Sequence, residues 1–291
     1  MDIGPYGIWT FNLDLVPSSQ GVEHVAELEE LGYGAVWVPE AVGREPFTNA
    51  AILLRGGSRI VVATGIASIW PRDPMAAAAA QKTVSEAYPG RFLLGLGVSH
   101  RPMVEDIRGH DYSKPYSAMK EYLDRMDGAL FMAAEPTVPP ERVLAALRPR
   151  MLRLAAERAS GAHPYFVPPE HTAFARATLG DGPLLAVEQA VVFESDPTKA
   201  RELARTHTSI YTGLPNYTGN LRRFGFDDDD FVPGGSDRLV DAIVAWGGMD
   251  TILDRIQAHR DAGADHVCIQ VVASSPRPPV EAWRDLAAAL P

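Results

Sequence analysis

Five side chains stand where acid–base or anion-binding chemistry would need them: Glu40, His100, Arg148, His163 and His171. Glu40 follows Pro39 at the end of the apolar stretch Ala35–Pro39, and His100 follows the glycine-spaced stretch Phe92–Val98. A carboxylate or imidazole just past a strand's C-terminal end is placed for ligand contact or proton transfer. Glu40 has an ordinary alternative, holding the loop Ala41–Phe47 through backbone hydrogen bonds. His163 and His171 flank the expected strand His163–Val167, and His163, at its start, is expected towards the opposite end. Arg148 precedes Pro149, the expected first residue of a helix. A guanidinium beside free helix N–H groups suits a phosphate, with a surface ion pair as the alternative. His24, His110, His207 and His259 fall on expected helix or loop surfaces and are read as uninvolved.

Other chemistries leave no mark. There is no G-x-S-x-G, no H-E-x-x-H, no C-x-x-C and no G-x-x-x-x-G-K-[ST] in the chain. Gly95-Leu96-Gly97 is not a dinucleotide fingerprint, because His100 stands where the third glycine belongs and a loop follows. Those glycines either let a strand pack tightly or let a flat ring approach the strand end. Gly65, inside the apolar run Ile60–Ser68, signals a bulge or a close backbone approach. The run Asp227–Asp230 reads as solvated charge, so no metal site is expected.

The 291 residues carry 27 basic and 37 acidic side chains, a net charge of −10. An acidic chain without a basic run is a poor partner for nucleic acid or an anionic membrane. Apolar residues make up 46%, enough for a large core. No apolar run approaches the roughly 20 residues that span a bilayer. The N-terminal MDIGPYGIW does not read as a signal peptide, so a cytoplasmic protein is expected. The one cysteine, Cys268, lies in an apolar run and is expected to be a buried, inert thiol.

Eight apolar strands are expected to position these residues: Gly4–Phe11, Ala35–Pro39, Ile60–Ser68, Phe92–Val98, Arg142–Leu147, His163–Val167, Leu184–Phe193 and His266–Val272. Nearly all are followed by amphipathic or Pro-started helices, such as Ser18–Leu31, Pro149–Ala159 and Pro169–Leu179. Ser236–Trp246 reads as another helix. Strand–helix alternation of this number predicts an α/β chain closed as a (β/α)8 barrel. One domain over 1–291 is expected, with irregular insertions near 99–115 and 213–237.

Several motifs together resemble the luciferase-like monooxygenase superfamily, and within it the F420-dependent oxidoreductases. They are LEELGYGAVWVPEA (Leu28–Ala41), TGIASIWPRDP (Thr64–Pro74), YPGRFLLGLGVSH (Tyr88–His100) and AGADHVCIQVV (Ala262–Val272), in order along most of the chain. The resemblance implies a TIM barrel with an insertion, in agreement with the strand count, and the deazaflavin coenzyme F420 at its C-terminal mouth. The ring would lie against a bulge with a non-prolyl cis peptide, matching Gly65-Ile66, with Ala67, Ser68 and Val98 continuing the surface. Phosphate-side contacts match Leu147 and Arg148, with Met151 nearby. Trp9, Trp70, His163, Tyr165 and Tyr217 would wall a largely apolar substrate.

The histidine that many such proteins carry after strand two is here Ala41, beside Glu40, and Ser99-His100 replaces the acidic residue after LGLG. The resemblance implies hydride transfer between F420 and a small unsaturated or carbonyl substrate, in which either the catalytic acid–base role moves to Glu40 or His100 or the reaction needs no such group. An FMN-dependent monooxygenase and a non-catalytic cofactor-binding homologue are the alternatives. A homodimer is also implied.

Overall fold

The chain alternates strands and helices, and the strands close on themselves. A computed structural model covers residues 1–291. In chain order the strands are β1 (Tyr6–Trp9), β2 (Ala35–Val38), β3 (Val61–Thr64), β4 (Ala67–Ser68) and β5 (Phe92–Gly97). Then come β6 (Glu141–Leu144), β7 (Gly161–Ala162), β8 (Leu184–Val192), β9 (Val244–Trp246) and β10 (His266–Val271). All pairings are parallel, and β10 pairs with both β1 and β8, which closes an eight-stranded barrel. The two extra strands are β4, which continues the line of β3 along β5, and β9, which adds to β8.

Side-chain alternation along each strand separates two cores. Ile8, Val36, Val62, Leu94, Leu144, Val187 and Ile269 meet the surrounding helices. Trp9, Ala35, Trp37, Ala63, Leu93, Val143, Ala186 and Cys268 fill the barrel interior. Helix starts follow the local chemistry. Pro stands at the first position of Pro74–Ala87, Pro149–Arg158, Pro169–Leu179 and Pro197–Thr208, where its missing N–H costs nothing. Asp73 and Asp196 cap two of these helices through backbone N–H groups.

Three expectations need correction. The run Ile60–Ser68 is two strands, split at Gly65-Ile66. The sixth strand is Gly161–Ala162 and ends before His163, because Pro164 has no N–H to continue the ladder. His163 therefore lies past the C-terminal end of its strand and not at its start. Ser236–Trp246 is a helix only over Asp237–Ile243, and Val244–Trp246 then pairs with Ala190–Val192.

Both irregular segments lie beyond strand ends. The first holds a π-helical turn, Pro102–Ile107, and the second a helix, Pro215–Leu221, with a 3-10 turn, Arg222–Phe224. A further apolar cluster of Phe166, Tyr217, Leu221, Phe226 and Leu239 with Ala190 and Val192 packs the second segment onto the barrel. No helix is long and apolar enough to cross a membrane.

Candidate active site

The break between β3 and β4 organises the mouth. The Gly65-Ile66 peptide is cis. The Gly65 N–H donates to Val38 O at 2.8 Å, and Ile66 O accepts from the Glu40 N–H at 3.2 Å. From inside the barrel, the Trp9 indole donates to Gly65 O at 3.0 Å. A Cβ at Gly65 would lie 2.7 Å from Trp9 Nε1 and 3.1 Å from His163 Nε2, so only glycine fits there. The neighbouring strand is shaped to match. A Cβ at Gly95 would lie 1.9 Å from Thr64 O, and one at Gly97 would lie 2.5 Å from Ile66 Cδ1. Packing against the bulge thus accounts for both glycines of LGLG.

Glu40 is tied on every side. Its carboxylate accepts from Arg72 Nη1 at 2.7 Å, Arg72 Nη2 at 2.9 Å, Arg108 Nη2 at 3.3 Å and the Ser68 N–H at 2.7 Å. Arg72 also donates to Ser68 O at 2.6 Å, and Arg108 to Ala41 O at 3.0 Å. The side chain is 5% exposed. One carboxylate therefore joins the end of β2, the β4 edge and the first insertion.

The two insertions meet through His100, whose Nδ1 lies 3.1 Å from Asn216 Oδ1. An amide oxygen only accepts, so Nδ1 carries the proton and Nε2 keeps a lone pair. Burial lowers the His100 pKa, and the Asn216 bond only partly offsets it. Tyr217 packs 5.2 Å from the His100 ring. Arg148 is exposed and donates to Pro215 O at 3.2 Å. Leu147 O accepts from His171 Nε2 at 2.8 Å, and Leu147 and Met151 are half-buried on the main core. Trp70 donates to Val98 O at 2.6 Å and packs 5.7 Å from Tyr112.

Beneath the second insertion lies a polar cluster among aromatic rings. Tyr165 Oη donates to Gln270 Oε1 at 2.8 Å and sits 2.9 Å from Tyr211 Oη. Tyr165 has one proton, so Tyr211 must donate to it. Tyr165 packs 5.1 Å from Trp9 and 6.3 Å from Tyr217, and His207 lies 5.0 Å from Tyr211. Glu188, 2% exposed, accepts from the Phe166 N–H at 3.1 Å through Oε2, while Oε1 has no partner. Burial raises its pKa to about 8. His163 stacks 4.4 Å from Trp37 and donates Nδ1–H to Ala186 O at 2.9 Å. Its Nε2 is unpartnered, and burial lowers its pKa to about 4.

The structure thus brings Trp9, Gly65, His163, Tyr165 and Tyr217 together, with His100 beside Tyr217. Arg148, Leu147 and Met151 lie at the neighbouring helix start. A surface depression of about 520 Å³, lined by Asp241, Trp246, Gly248, Thr251 and Arg255 among others, shares no residue with this constellation. No group of three or more His, Cys, Asp or Glu is arranged to hold a metal ion.

The model of the luciferase-like monooxygenase family matches residues 16–266. The chain belongs to this family. It is 26% identical to a Mycobacterium tuberculosis protein provisionally named a coenzyme F420-dependent oxidoreductase, over 94% of each chain. It is 25% identical to the 5,10-methylenetetrahydromethanopterin reductase of Methanolobus tindarius, over 92% of this chain and 94% of that one. Its fold matches an F420-dependent secondary alcohol dehydrogenase solved with an F420-acetone adduct. That match has a TM-score of 0.79 and 14% identity, and it covers 100% of this chain and 98% of that one.

Several residues of this luciferase-like mouth escape a reading of the sequence. Arg72, Arg108, Tyr211 and Asn216 come from far along the chain and join the site only on folding. Glu188 did leave a signal: it is the one charged residue in the apolar run Leu184–Phe193. Two histidines expected on surfaces are buried. His207 faces the tyrosines, and His259 bonds Thr172 and Gln189, each at 2.8 Å, because both helices turn these positions towards the barrel.

Proposed function

We propose that this chain is an F420-dependent oxidoreductase acting on a small, uncharged carbonyl or unsaturated substrate at the C-terminal mouth of the barrel. The observation that carries the reading is the Gly65-Ile66 bulge at the barrel mouth, with the buried, unpartnered His163 Nε2 packed against Gly65 and a second buried, unpartnered atom, Glu188 Oε1, deeper on β8. Buried polar atoms without partners call for a ligand or water. The family and its F420-dependent relatives support the choice of ligand.

Gly65, Ile66, Ala67, Ser68 and Val98 would hold the ring, and Leu147, Arg148 and Met151 the phosphate side. Bound there in reduced form, F420 supplies a hydride. Trp9, Trp70, His163, Tyr165 and Tyr217 wall the space above and exclude water. Glu40 takes a positioning role, since every bond it makes fixes the bulge or the first insertion. His100 presents a neutral acceptor at Nε2 to the substrate side.

The second reading is an FMN-dependent monooxygenase, which the family's own description favours. Titration of the purified protein with F420 and with FMN, followed by tryptophan fluorescence, separates the two because Trp9 and Trp70 border the site. Micromolar binding of F420, with oxidation of reduced F420 by ketones, aldehydes or enones, is expected. Micromolar binding of FMN alone would reverse the choice.

A further inference from the structure

The acid that completes carbonyl reduction has no obvious holder among the residues at the strand ends. Glu40 is committed to two guanidinium groups and a backbone N–H. His100 already gives its proton to Asn216. The candidate lies deeper, on β8. The carboxyl group of Glu188 is oriented by one backbone bond, from the Phe166 N–H to Oε2. Phe166 itself has φ 61°, a backbone turn that aims this N–H into the barrel. The other oxygen, Oε1, is buried and touches no donor or acceptor of the protein.

We propose that Glu188 is a catalytic acid, with its proton on Oε1 offered to the oxygen of an uncharged carbonyl substrate held under Tyr165, Tyr211 and Tyr217. The proposal rests on the reading of the chain as an F420-dependent reductase. Reduced F420, if held at the bulge, would supply the hydride that the carbonyl carbon takes up. The electron pair of the C=O π bond then forms the new O–H bond with the Glu188 proton. An alcohol and a Glu188 carboxylate remain, and the carboxylate recovers its proton from water once the product leaves.

The surroundings keep that proton in place. Burial alone drives the pKa of Glu188 up, and the Phe166 N–H is the one opposing influence. The titratable groups that feel its charge are Tyr165, Tyr211, Tyr217 and Cys268, all neutral at pH 7 because burial raises each of them. His163 and His207, on the neighbouring elements, are held neutral by burial, each at about 4. No lysine or arginine is among the groups that shift Glu188. The hydroxyl chain cannot take the vacant contact by donation, since Tyr211 donates to Tyr165 and Tyr165 to Gln270. An acceptor oxygen on an uncharged carbonyl ligand would complement the protonated Oε1. A site lined this way favours an uncharged carbonyl compound over a carboxylate or an amine.

The experiment combines infrared spectroscopy with kinetics. In wild-type protein a protonated-carboxyl stretching band is expected at pH 7, disappearing as the pH passes about 8. The band should be missing from Glu188→Gln. With reduced F420 and a ketone, Glu188→Gln should lose about a hundredfold in kcat, while F420 affinity read by fluorescence stays within threefold. The wild-type profile of kcat against pH should fall on the alkaline side, and that limb should vanish in the variant. A wild-type spectrum with no protonated carboxyl at pH 7 overturns the proposal, whether or not any variant folds. So does a Glu188→Gln enzyme that keeps its turnover. Failure of the wild type to bind F420 would instead overturn the cofactor reading and leave the infrared result standing.

Discussion

Replacing Glu40 by glutamine would keep its shape but remove the charge that Arg72 and Arg108 share. Arg72 is itself mostly buried, with 13% of its side chain exposed, so its guanidinium would lose its counter-charge where water compensates poorly. Loss of one partner from such a pair costs about 2 kcal/mol. Glu40→Gln should therefore lower the melting temperature by several degrees and loosen cofactor binding, while kcat at saturating F420 falls far less than in Glu188→Gln. Unchanged melting with abolished turnover would return Glu40 to the acid–base role. The chain alone offers no means of choosing between these roles. Glu40 at a strand end reads as chemistry because the groups that engage it, 28 to 68 positions away, are not adjacent in sequence.

Elements are more legible than partners. The apolar runs and the proline at the first position of seven helices place most strands and helices within a few residues, since both signals are local. What fails is local in another way. β7 is two residues long, too short to show a period, and β9 follows its helix without a breaker. The LGLG run belongs to this scale as well. Gly95 is needed because Thr64 O occupies the space of a Cβ, and its N–H is bonded by Thr64 Oγ1 at 2.9 Å. Gly95→Ala should cost about 1–3 kcal/mol through overpacking. At Gly128 a Cβ would meet nothing nearer than Asp124 O at 3.5 Å, so Gly128→Ala should be nearly neutral. Paired thermal melts compare the two, and equal melting temperatures would contradict the close approach at the bulge.

Over the whole molecule, buried histidines set the response to acid. Burial lowers His163, His171, His207 and His266 to about 4 and His259 to about 3, from an ordinary 6.5. Below pH 6.5 the unfolded chain binds these five protons and the folded chain does not, so stability falls as the pH drops towards 4. Glu188 acts in the opposite sense, its contribution being full below about 4.5 and lost as the pH rises towards 8. The net uptake of about four protons on unfolding corresponds to roughly 5 kcal/mol per pH unit. Against a stability of about 5–15 kcal/mol, circular dichroism should show cooperative acid unfolding centred near about pH 5. A fold intact at pH 3 would mean that the histidines are not held neutral. None of this was legible in advance, because His207 and His259 read as surface residues until the helices are packed.

One short strand has a consequence for how the molecule behaves among its copies. β8 runs on to Val192, while its neighbour β7 stops opposite Leu185. Left alone, the upper part of β8 would show an open row of backbone donors and acceptors, the feature through which sheets recruit one another into aggregates. β9 occupies that row at Ala190–Val192. Those three residues, which carry no catalytic chemistry, thus help to keep a concentrated solution of this barrel from pairing edge to edge.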